Sequence, residues 1–213
     1  MEKGHWENNA SARILGQTWE RNFCMLASNI GLMFTPLQIE RSSSAAAFYF
    51  DGKWKTLTLP DITIWTAPGQ HHEIKHKRHT KNRMYGLEVY RFNALTRFGK
   101  ETKQRIYYTI HDWTNTPGCR NGTTNRIEDW VSADISVLNA AIVDGYIHPN
   151  NKYPSFVNGK KEENVPQYFW PIKLFEPLLD VFSNKTQTAN RLIDAAFPVV
   201  YQDWFTEAAE LSW

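Results

Sequence analysis

Two acids and a lysine lie close together in the first half of the chain. Asp61 follows a proline, and after eleven intervening residues the sequence continues Glu73-Ile74-Lys75. Two carboxylates can hold a hard divalent cation beside a reactive water, and the backbone carbonyl of Ile74 can add a ligand. A neighbouring lysine can orient the water and offset negative charge in the transition state. These residue types are the minimum equipment for metal-assisted hydrolysis of a phosphodiester bond.

The same segment also fits a second metal pattern. Residues 72–76 read HEIKH and match the H-E-x-x-H of zinc proteases. That pattern brings both histidines to one zinc only on a helix, but a Pro-Gly pair precedes it closely and its flanks carry no helical apolar stripe. On a strand, Glu73 and Lys75 instead point to one side and Ile74 to the other. The strand is favoured, and a zinc metalloprotease is the less favoured alternative.

A helix is predicted upstream of this segment. Residues 11–30 carry apolar side chains at three- and four-residue steps, and Gly31 is placed to end the helix. Glu20 lies beside the apolar stripe among small neighbours, so its carboxylate is expected to face inward. The alternative is a boundary acid that pairs with Arg13 or Arg21.

The elements around the acids are predicted from apolar patterning and turn residues. Residues 45–65 read as a β-hairpin whose second strand contains Asp61 as a charge in an apolar run. Residues 72–77 read as a third strand, residues 85–98 as a second helix and residues 105–110 as a further strand. The order helix, hairpin, strand, helix, strand predicts a mixed α/β core.

The second half of the chain reads as loops and helices. The predicted loops cover residues 115–125 and 150–166. The predicted helical segments cover residues 127–142, 168–182 and 186–211. We therefore expect a core formed by residues 1–114 and a mostly helical C-terminal extension, residues 115–213, packed on it in one compact domain.

Composition sets further bounds. The chain has 213 residues, a formal net charge of +2 and 42% hydrophobic residues, which suits one globular domain with a sizeable core. Two cysteines are too few for a disulfide framework or a four-cysteine zinc site. The N-terminus is polar, and no apolar stretch approaches the roughly 20 residues that span a bilayer. The sequence predicts a cytoplasmic protein with no membrane partner.

The acid-lysine motif and the element order resemble the PD-(D/E)xK nuclease superfamily, in particular its small phage-type and Holliday-junction-resolvase-like endonucleases. The resemblance covers residues 16–113. It implies a restriction-endonuclease-like α/β fold in which Asp61 and Glu73 match the metal-binding acids and Lys75 matches the catalytic lysine. Glu20 resembles the first-helix acid that many members use to bind metal or water.

The resemblance also implies partners. One or two Mg²⁺ or Mn²⁺ ions are the expected cofactors, and DNA, with branched DNA among the candidates, is the expected substrate. A junction resolvase would act as a homodimer that makes two symmetric cuts. Two alternatives stay open: a sequence-specific restriction enzyme, and a non-catalytic nucleic-acid-binding or recombination accessory protein that keeps the nuclease fold.

A basic run follows the acids. Residues 71–83 contain five Lys or Arg and four His against one acid, which suits either a solvated face or an anion-facing surface, here the latter. The candidate DNA contacts are Lys77, Arg78, Lys81, Arg83 and Tyr85. For Tyr85 and Arg83, a packing aromatic and a surface charge are the preferred interpretations. The histidines are interpreted as facing DNA or solvent, or as a secondary transition-metal site: His71, His72, His76 and His79.

Overall fold

The computed structural model describes residues 4–37, 45–50, 52–65, 69–114, 125–150, 155–157, 160–162, 165–183, 185 and 189–197. The helices are α1 Gly4–Asn29, α2 Val89–Thr102, α3 Ile135–Val143, α4 Leu178–Phe182 and α5 Ala189–Ala196. The strands are β1 Phe34–Pro36, β2 Ala45–Phe50, β3 Lys53–Thr58, β4 Ile62–Ile64, β5 Gln70–Lys77, β6 Met84–Glu88, β7 Arg105–Asp112, β8 Trp130–Asp134, β9 Ser155–Val157, β10 Lys160–Glu162, β11 Gln167–Pro171 and β12 Glu176–Pro177. Two short 3-10 helices cover Ile127–Asp129 and Ile172–Leu174.

A six-stranded mixed sheet lies at the centre, in the order β1-β4-β5-β7-β8-β12. β5 and β7 run parallel, and the other neighbours in this sheet run antiparallel. A parallel pair needs a crossover connection, which β6 and α2 provide between β5 and β7. The mixed α/β class predicted from the sequence agrees with this architecture.

Helices cover both faces of the sheet. α1 and α4 pack on one face, whose core includes Trp19, Phe23, Ile62, Ile74, Trp130 and Leu178. α2, α3 and α5 pack on the other, whose core includes Leu95, Phe98, Tyr108, Leu138 and Leu192. Polar side chains of β5 between these layers therefore need hydrogen-bond partners within the protein, although the buried Nε2 of His76 has none.

The predicted third strand is confirmed as β5, although its side chains are mostly polar. His72, Ile74 and His76 face α1, whereas Glu73 and Lys75 face α2, because successive side chains of a strand point to opposite faces. The zinc-protease interpretation of this segment is wrong, because it requires a helix.

The predicted hairpin is correct only in its first part. β2 and β3 pair antiparallel, but β3 ends at Thr58 rather than continuing to residue 65. The chain bends at Pro60, which has no backbone N–H to donate to a sheet ladder, and β4 then joins the central sheet instead. Asp61 therefore lies at a break between two strands and not inside one.

The predicted helix over residues 85–98 is wrong at both ends. Its first part is β6, which pairs with β11 from much later in the chain. The backbones approach closely there, because a Cβ on Gly86 would lie 2.6 Å from the Phe169 ring. Helix α2 starts only at Val89 and continues to Thr102, where Lys103 adopts a left-handed conformation with φ 56°.

The expectation of a mostly helical second half is wrong for the described residues. The predicted helix over residues 127–142 contains strand β8, and α3 begins only after Asp134, whose side chain accepts a hydrogen bond from the Ser136 N–H. β9 and β10 form a hairpin inside the predicted loop over residues 150–166. β8 and β12 extend the central sheet. Residues 115–124 of the predicted loop over residues 115–125 lie outside the described residues, as do residues 198–211 of the last predicted helix. None of the helices described is long and apolar enough to cross a membrane.

Candidate active site at the start of β4

Asp61 lies beside the edge of β5, at the position where the pairing of β5 with β4 stops. β4 pairs with β5 only as far as His72, and the Asp61 backbone N–H donates to the His72 carbonyl at 3.0 Å. Its carboxylate Oδ2 then accepts a hydrogen bond from the next N–H on that edge, from Ile74, at 2.6 Å. The Ile74 carbonyl points to the same edge, because the N–H and C=O of one strand residue share a side.

Glu73 and Lys75 complete the predicted set. They share one face of β5, and the Lys75 ammonium donates a hydrogen bond to the Glu73 carboxylate. Lys75 Nζ also lies 3.9 Å from Asp61 Oδ2. The structure thus brings Asp61, Glu73 and Lys75 together at the start of β4.

Arg91 is a member of this cluster that the sequence analysis missed. Its Nε donates to Glu73 Oε1 at 2.9 Å and its Nη2 donates to Glu73 Oε2, in a bidentate pair. Nη2 also donates to the Leu59 carbonyl at 3.0 Å and lies 3.9 Å from Asp61 Oδ1. A cation in the first turn of α2, where the helix dipole disfavours it, is the signal that could have revealed a buried acid nearby.

Glu20 faces the same cluster from α1. Its side chain is partly buried, and its pKa is raised to about 7, first by burial and then by the negative charges of Asp61 and Glu73, which Lys75 opposes. The attraction of Arg21 is the weakest of these influences. The charges of Asp61, Lys75 and Glu73 therefore act on this carboxyl more strongly than that of Arg21 does.

The acids differ strongly in their affinity for protons. Burial and the nearby Glu73 charge raise the pKa of Asp61 to about 6. Burial alone would also raise the pKa of Glu73, but Arg91 and Lys75 outweigh it and lower this pKa to about 2. Nearby positive charge thus outweighs the effect of burial on the pKa of Glu73, whereas it does not do so for Asp61 and Glu20.

The carboxylates of Asp61 and Glu20 fit a hard divalent cation in their chemistry. Both are oxygen donors that need more positive charge, and the Ile74 carbonyl lies on the same edge. Glu73 differs because Arg91 and Lys75 already occupy its two oxygens. Among the described residues, no group of three or more His, Cys, Asp or Glu is arranged to hold a metal.

Two of the five candidate DNA contacts point into the protein. The Lys77 ammonium donates to the Gly86 carbonyl at 2.6 Å. Tyr85 is only 3% exposed, and its hydroxyl donates to Asp112 Oδ2 at 2.6 Å. Tyr85 is therefore a buried packing residue, whereas Lys77 is partly exposed and its ammonium is held by a backbone carbonyl.

The other three candidates lie between β5 and β6 on the surface. Arg78, Lys81 and Arg83 are exposed, and the Arg78 guanidinium lies 5.6 Å from the centre of the Trp113 ring. Arg83 has φ 55°, a backbone conformation that non-glycine residues rarely adopt. Their charged groups are accessible to a phosphate backbone.

The interpretation of the histidines as facing DNA or solvent is wrong for His72, whereas His76 is partly exposed. His72 is completely buried, with its ring nitrogens hydrogen-bonded to Thr109 and Gln70. His76 stacks on Trp19 with 4.3 Å between the ring centres. Burial lowers the pKa of both imidazoles to about 3, so these rings are neutral packing elements between α1 and the sheet.

His71 and His79 are also engaged within the protein. His71 Nδ1 lies 2.8 Å from the Thr63 hydroxyl, and His79 Nδ1 donates to the Thr80 carbonyl at 2.9 Å. His71 lies on the opposite face of β5 from His72. The four histidines therefore do not converge on one metal.

Comparison with known proteins adds little to this geometry. No family model matches the chain, and no curated protein matches it. Among solved structures, one that is similar is Hjc, a Holliday junction resolvase from the archaeal hyperthermophile Archaeoglobus fulgidus, with 9% identity and a TM-score of 0.44. The match covers 79% of this chain and 95% of that chain. A likeness at this level carries no argument about function.

Proposed function

We propose that the protein is a metal-dependent endonuclease that hydrolyses phosphodiester bonds of DNA, with Mg²⁺ or Mn²⁺ as its cofactor. One observation carries the proposal. The Asp61 carboxylate accepts a hydrogen bond from the Ile74 N–H on the edge of β5. The charges of Glu20 and Glu73 act near this carboxylate, and Lys75 pairs with both Asp61 and Glu73. Acids from separate elements, a lysine and an available backbone carbonyl suit metal-assisted phosphodiester hydrolysis.

Asp61 and Glu20, with the Ile74 carbonyl, are the groups that would hold the cation. A bound cation supplies Lewis-acid stabilisation of the phosphoryl oxygens and makes water more acidic. Asp61 has a second task, because its hydrogen bond to the Ile74 N–H fixes the edge of β5 beside the site.

Lys75 acts as a hydrogen-bond donor rather than as a base. Burial would lower its pKa, but the charges of Glu73 and Asp61 outweigh burial and raise the pKa above its ordinary value. The ammonium therefore stays protonated, orients the attacking water and offsets negative charge as the phosphorus becomes pentacovalent. Glu73 holds Lys75 in place, and Arg91 holds Glu73.

DNA is the proposed partner, held near the site by Arg78, Lys81 and Arg83. These exposed cations lie in the connection that follows β5, beyond the end of the strand that carries Lys75. Contacts of this kind go to phosphates, give affinity that falls with salt and carry no base discrimination.

A second candidate is a non-catalytic nucleic-acid-binding protein on the same fold. The observation in its favour is that Arg91 and Lys75 occupy both oxygens of Glu73. Glu73 then acts as a structural ion-pair partner, and fewer acids remain to hold a cation.

The test is cleavage of supercoiled plasmid and of a synthetic four-way junction with Mg²⁺ or Mn²⁺, with EDTA as a control and calorimetry for metal binding. We expect wild type to cut, and Lys75→Ala to lose cleavage while it still binds Mg²⁺, because removing a cation leaves the acids more negative. Lys185→Ala, an exposed lysine, is the matched control. A wild-type protein that neither cuts DNA nor binds metal would favour the non-catalytic candidate.

A further inference from the structure

Two histidines from neighbouring strands lie side by side beneath α1. His76 of β5 and His111 of β7 are register partners, and their Nδ1 atoms are 3.0 Å apart. The ring planes differ by only 24°, so a single N–H···N hydrogen bond holds the two imidazoles nearly parallel. These two rings, His76 and His111, form what we call the histidine platform.

The Trp19 indole of α1 covers this platform. Its ring centre lies 4.3 Å from that of His76 and 3.7 Å from that of His111, with interplanar angles of 11° and 18°. The two imidazole centres are only 5.1 Å apart, which places them on the same face of the indole. Trp19 therefore stacks on both rings at once, and stacking over this area restricts how the indole can tilt or turn.

The cluster is costly if its only task is to fill the core. Trp19 and His111 are completely buried. Within the part of the chain that the structure describes, Trp19 Nε1, His76 Nε2 and His111 Nε2 are buried without a hydrogen-bond partner. Apolar side chains would fill the same space without this loss of hydrogen bonds. Local violations of this kind are expected near functional sites, which directs attention to what Trp19 holds in place.

Helix α1 contacts β5 at two places along the strand. Trp19 stacks on His76, and Phe23, one helical turn later, packs against His72 with 5.2 Å between ring centres. Ile74 lies between the two histidines on the same face of β5 and belongs to the same core. The turn of α1 from Trp19 to Phe23 therefore runs alongside Ile74.

Glu20 belongs to this turn of α1. It is therefore at the level of Ile74, whose N–H donates to the Asp61 carboxylate at 2.6 Å. The charges that act on the Glu20 carboxyl agree with this position, because that of Asp61 is the strongest of them. The rotation of α1 about its axis decides where the Glu20 side chain points, and the stacked side chain of the preceding residue, Trp19, restricts that rotation.

We propose that the histidine platform positions a metal ligand: by stacking beneath Trp19, His76 and His111 fix the rotation of α1 and hold Glu20 beside Asp61. The inference rests on the proposed function and deepens it, because it adds two residues that tune metal binding without touching the cation. His76 and His111 are thus positioning residues, and Glu20 is the group through which they act.

The first experiment is a double-mutant cycle on Mg²⁺ affinity, measured by calorimetry in the absence of DNA. His111→Leu removes one ring of the platform and keeps an apolar side chain of similar size. We expect its Mg²⁺ Kd to rise about tenfold, because losing a residue that orients a metal ligand typically reduces metal affinity by about 10- to 100-fold. In a Glu20→Gln background the same substitution should change the Kd by less than about twofold, since the carboxylate that the platform positions is already absent.

Two further variants separate positioning from packing. His111→Phe keeps a flat ring beneath the indole, so it should restore most of the Mg²⁺ affinity that His111→Leu loses. Leu138→Ala removes buried side-chain atoms from the core on the other face of the sheet. It should lower the thermal midpoint at least as much as His111→Leu does, but leave the Mg²⁺ Kd unchanged.

Trp19→Phe is the alternative variant if circular dichroism shows that His111→Leu has lost its fold. Phenylalanine keeps an aromatic ring in the core but is too small to cover both imidazoles. The Mg²⁺ Kd should therefore rise in the wild-type background and stay the same in the Glu20→Gln background.

Two different results would count against the inference. Folded platform variants that bind Mg²⁺ as wild type does, or that weaken binding equally with and without Glu20, overturn it and leave the proposed function standing. A wild-type protein that binds no Mg²⁺ overturns the proposed function, and the inference with it.

Discussion

The Arg91 guanidinium donates two hydrogen bonds to the Glu73 carboxylate, one of them from Nε at 2.9 Å. This pair joins α2 to β5 across the core and fixes the acid in one orientation. Glu73 is completely buried, so its charge depends on Arg91 and Lys75 for compensation. The orientation of Lys75 towards Asp61 depends in turn on this pair.

Replacing Arg91 should destabilise the fold. We expect Arg91→Ala to lower the free energy of unfolding by about 3 kcal/mol, because it leaves a buried carboxylate with Lys75 as its one strong partner. Urea unfolding measures the change. Arg105→Ala is the matched control, since it breaks an exposed ion pair with Asp134 and should cost less than about 1 kcal/mol. Equal losses in the two variants would contradict the role assigned to Arg91.

Asp61→Asn should separate catalysis from stability. The amide oxygen can still accept the hydrogen bond from the Ile74 N–H, so the thermal midpoint should change little. Metal-dependent plasmid cleavage should fall at least about 100-fold, since even residues that only support a metal ligand contribute about 10- to 100-fold. Asp194→Asn changes an exposed acid of α5 and should cut normally. Normal cleavage by Asp61→Asn would place the active site elsewhere.

The stability of the protein should depend on Glu20 above about pH 4.5. The pKa of this group is raised to about 7 in the folded protein, so the folded state binds its proton more tightly than the unfolded state does. The stability from that proton is complete below about pH 4.5 and is lost as the pH rises through about 7. Glu20→Gln should therefore be about 1–2 kcal/mol more stable than wild type at pH 8, after allowance for solvent screening, and similar at pH 4.5.

Urea unfolding of wild type and Glu20→Gln at the two pH values tests this expectation. Glu128→Gln, which alters an exposed acid, should show no such dependence on pH. Mg²⁺ at saturating concentration should narrow the difference at pH 8, because it supplies the positive charge that the acids lack. A difference that is the same at both pH values would contradict the raised pKa of Glu20.

Tyr85 and Lys81 should behave in opposite ways although both belong to the predicted DNA surface. Tyr85→Phe removes a hydrogen bond to the Asp112 carboxylate and should cost about 1–2 kcal/mol of stability without changing DNA affinity. Lys81→Gln should leave stability unchanged and reduce the salt dependence of duplex binding by about 0.9 in slope. Urea unfolding and anisotropy titrations at several salt concentrations distinguish the two. Weaker DNA binding by a folded Tyr85→Phe variant would contradict the buried position.

The parts of the fold that could be predicted depend on local patterning. The apolar steps of α1 correctly predict burial of Trp19 and Phe23, and the Pro-Gly pair before β5, together with the lack of a helical apolar stripe, correctly favours a strand there. The proximity of Asp61 to Glu73 followed from the same logic, because neighbouring strands bring such residues together. These signals come from residues close in sequence, so they can be recognised without knowledge of the tertiary contacts.

The features that escaped prediction are set by distant partners. β6 reads as the start of a helix until β11, about 80 residues later, pairs with it across Gly86. Arg91 looks like an ordinary helical cation, and its burial depends on how α2 packs over β5. His72 looks suited to a surface because nothing nearby in sequence shows that Thr109 will satisfy its ring nitrogen.

The crossover from β5 through α2 to β7 has a consequence for the order of folding. Arg91 lies inside this connection, whereas Asp61, Glu73 and Lys75 precede it in the chain. A nascent chain that has left the ribosome only as far as β6 therefore contains Lys75 but not Arg91 to pair with Glu73. Docking of α2 neutralises that charge and also returns the chain for the parallel pairing of β7. The guanidinium that compensates Glu73 and the return of the chain for β7 thus depend on the same connection, and a chain that ends at β6 lacks both.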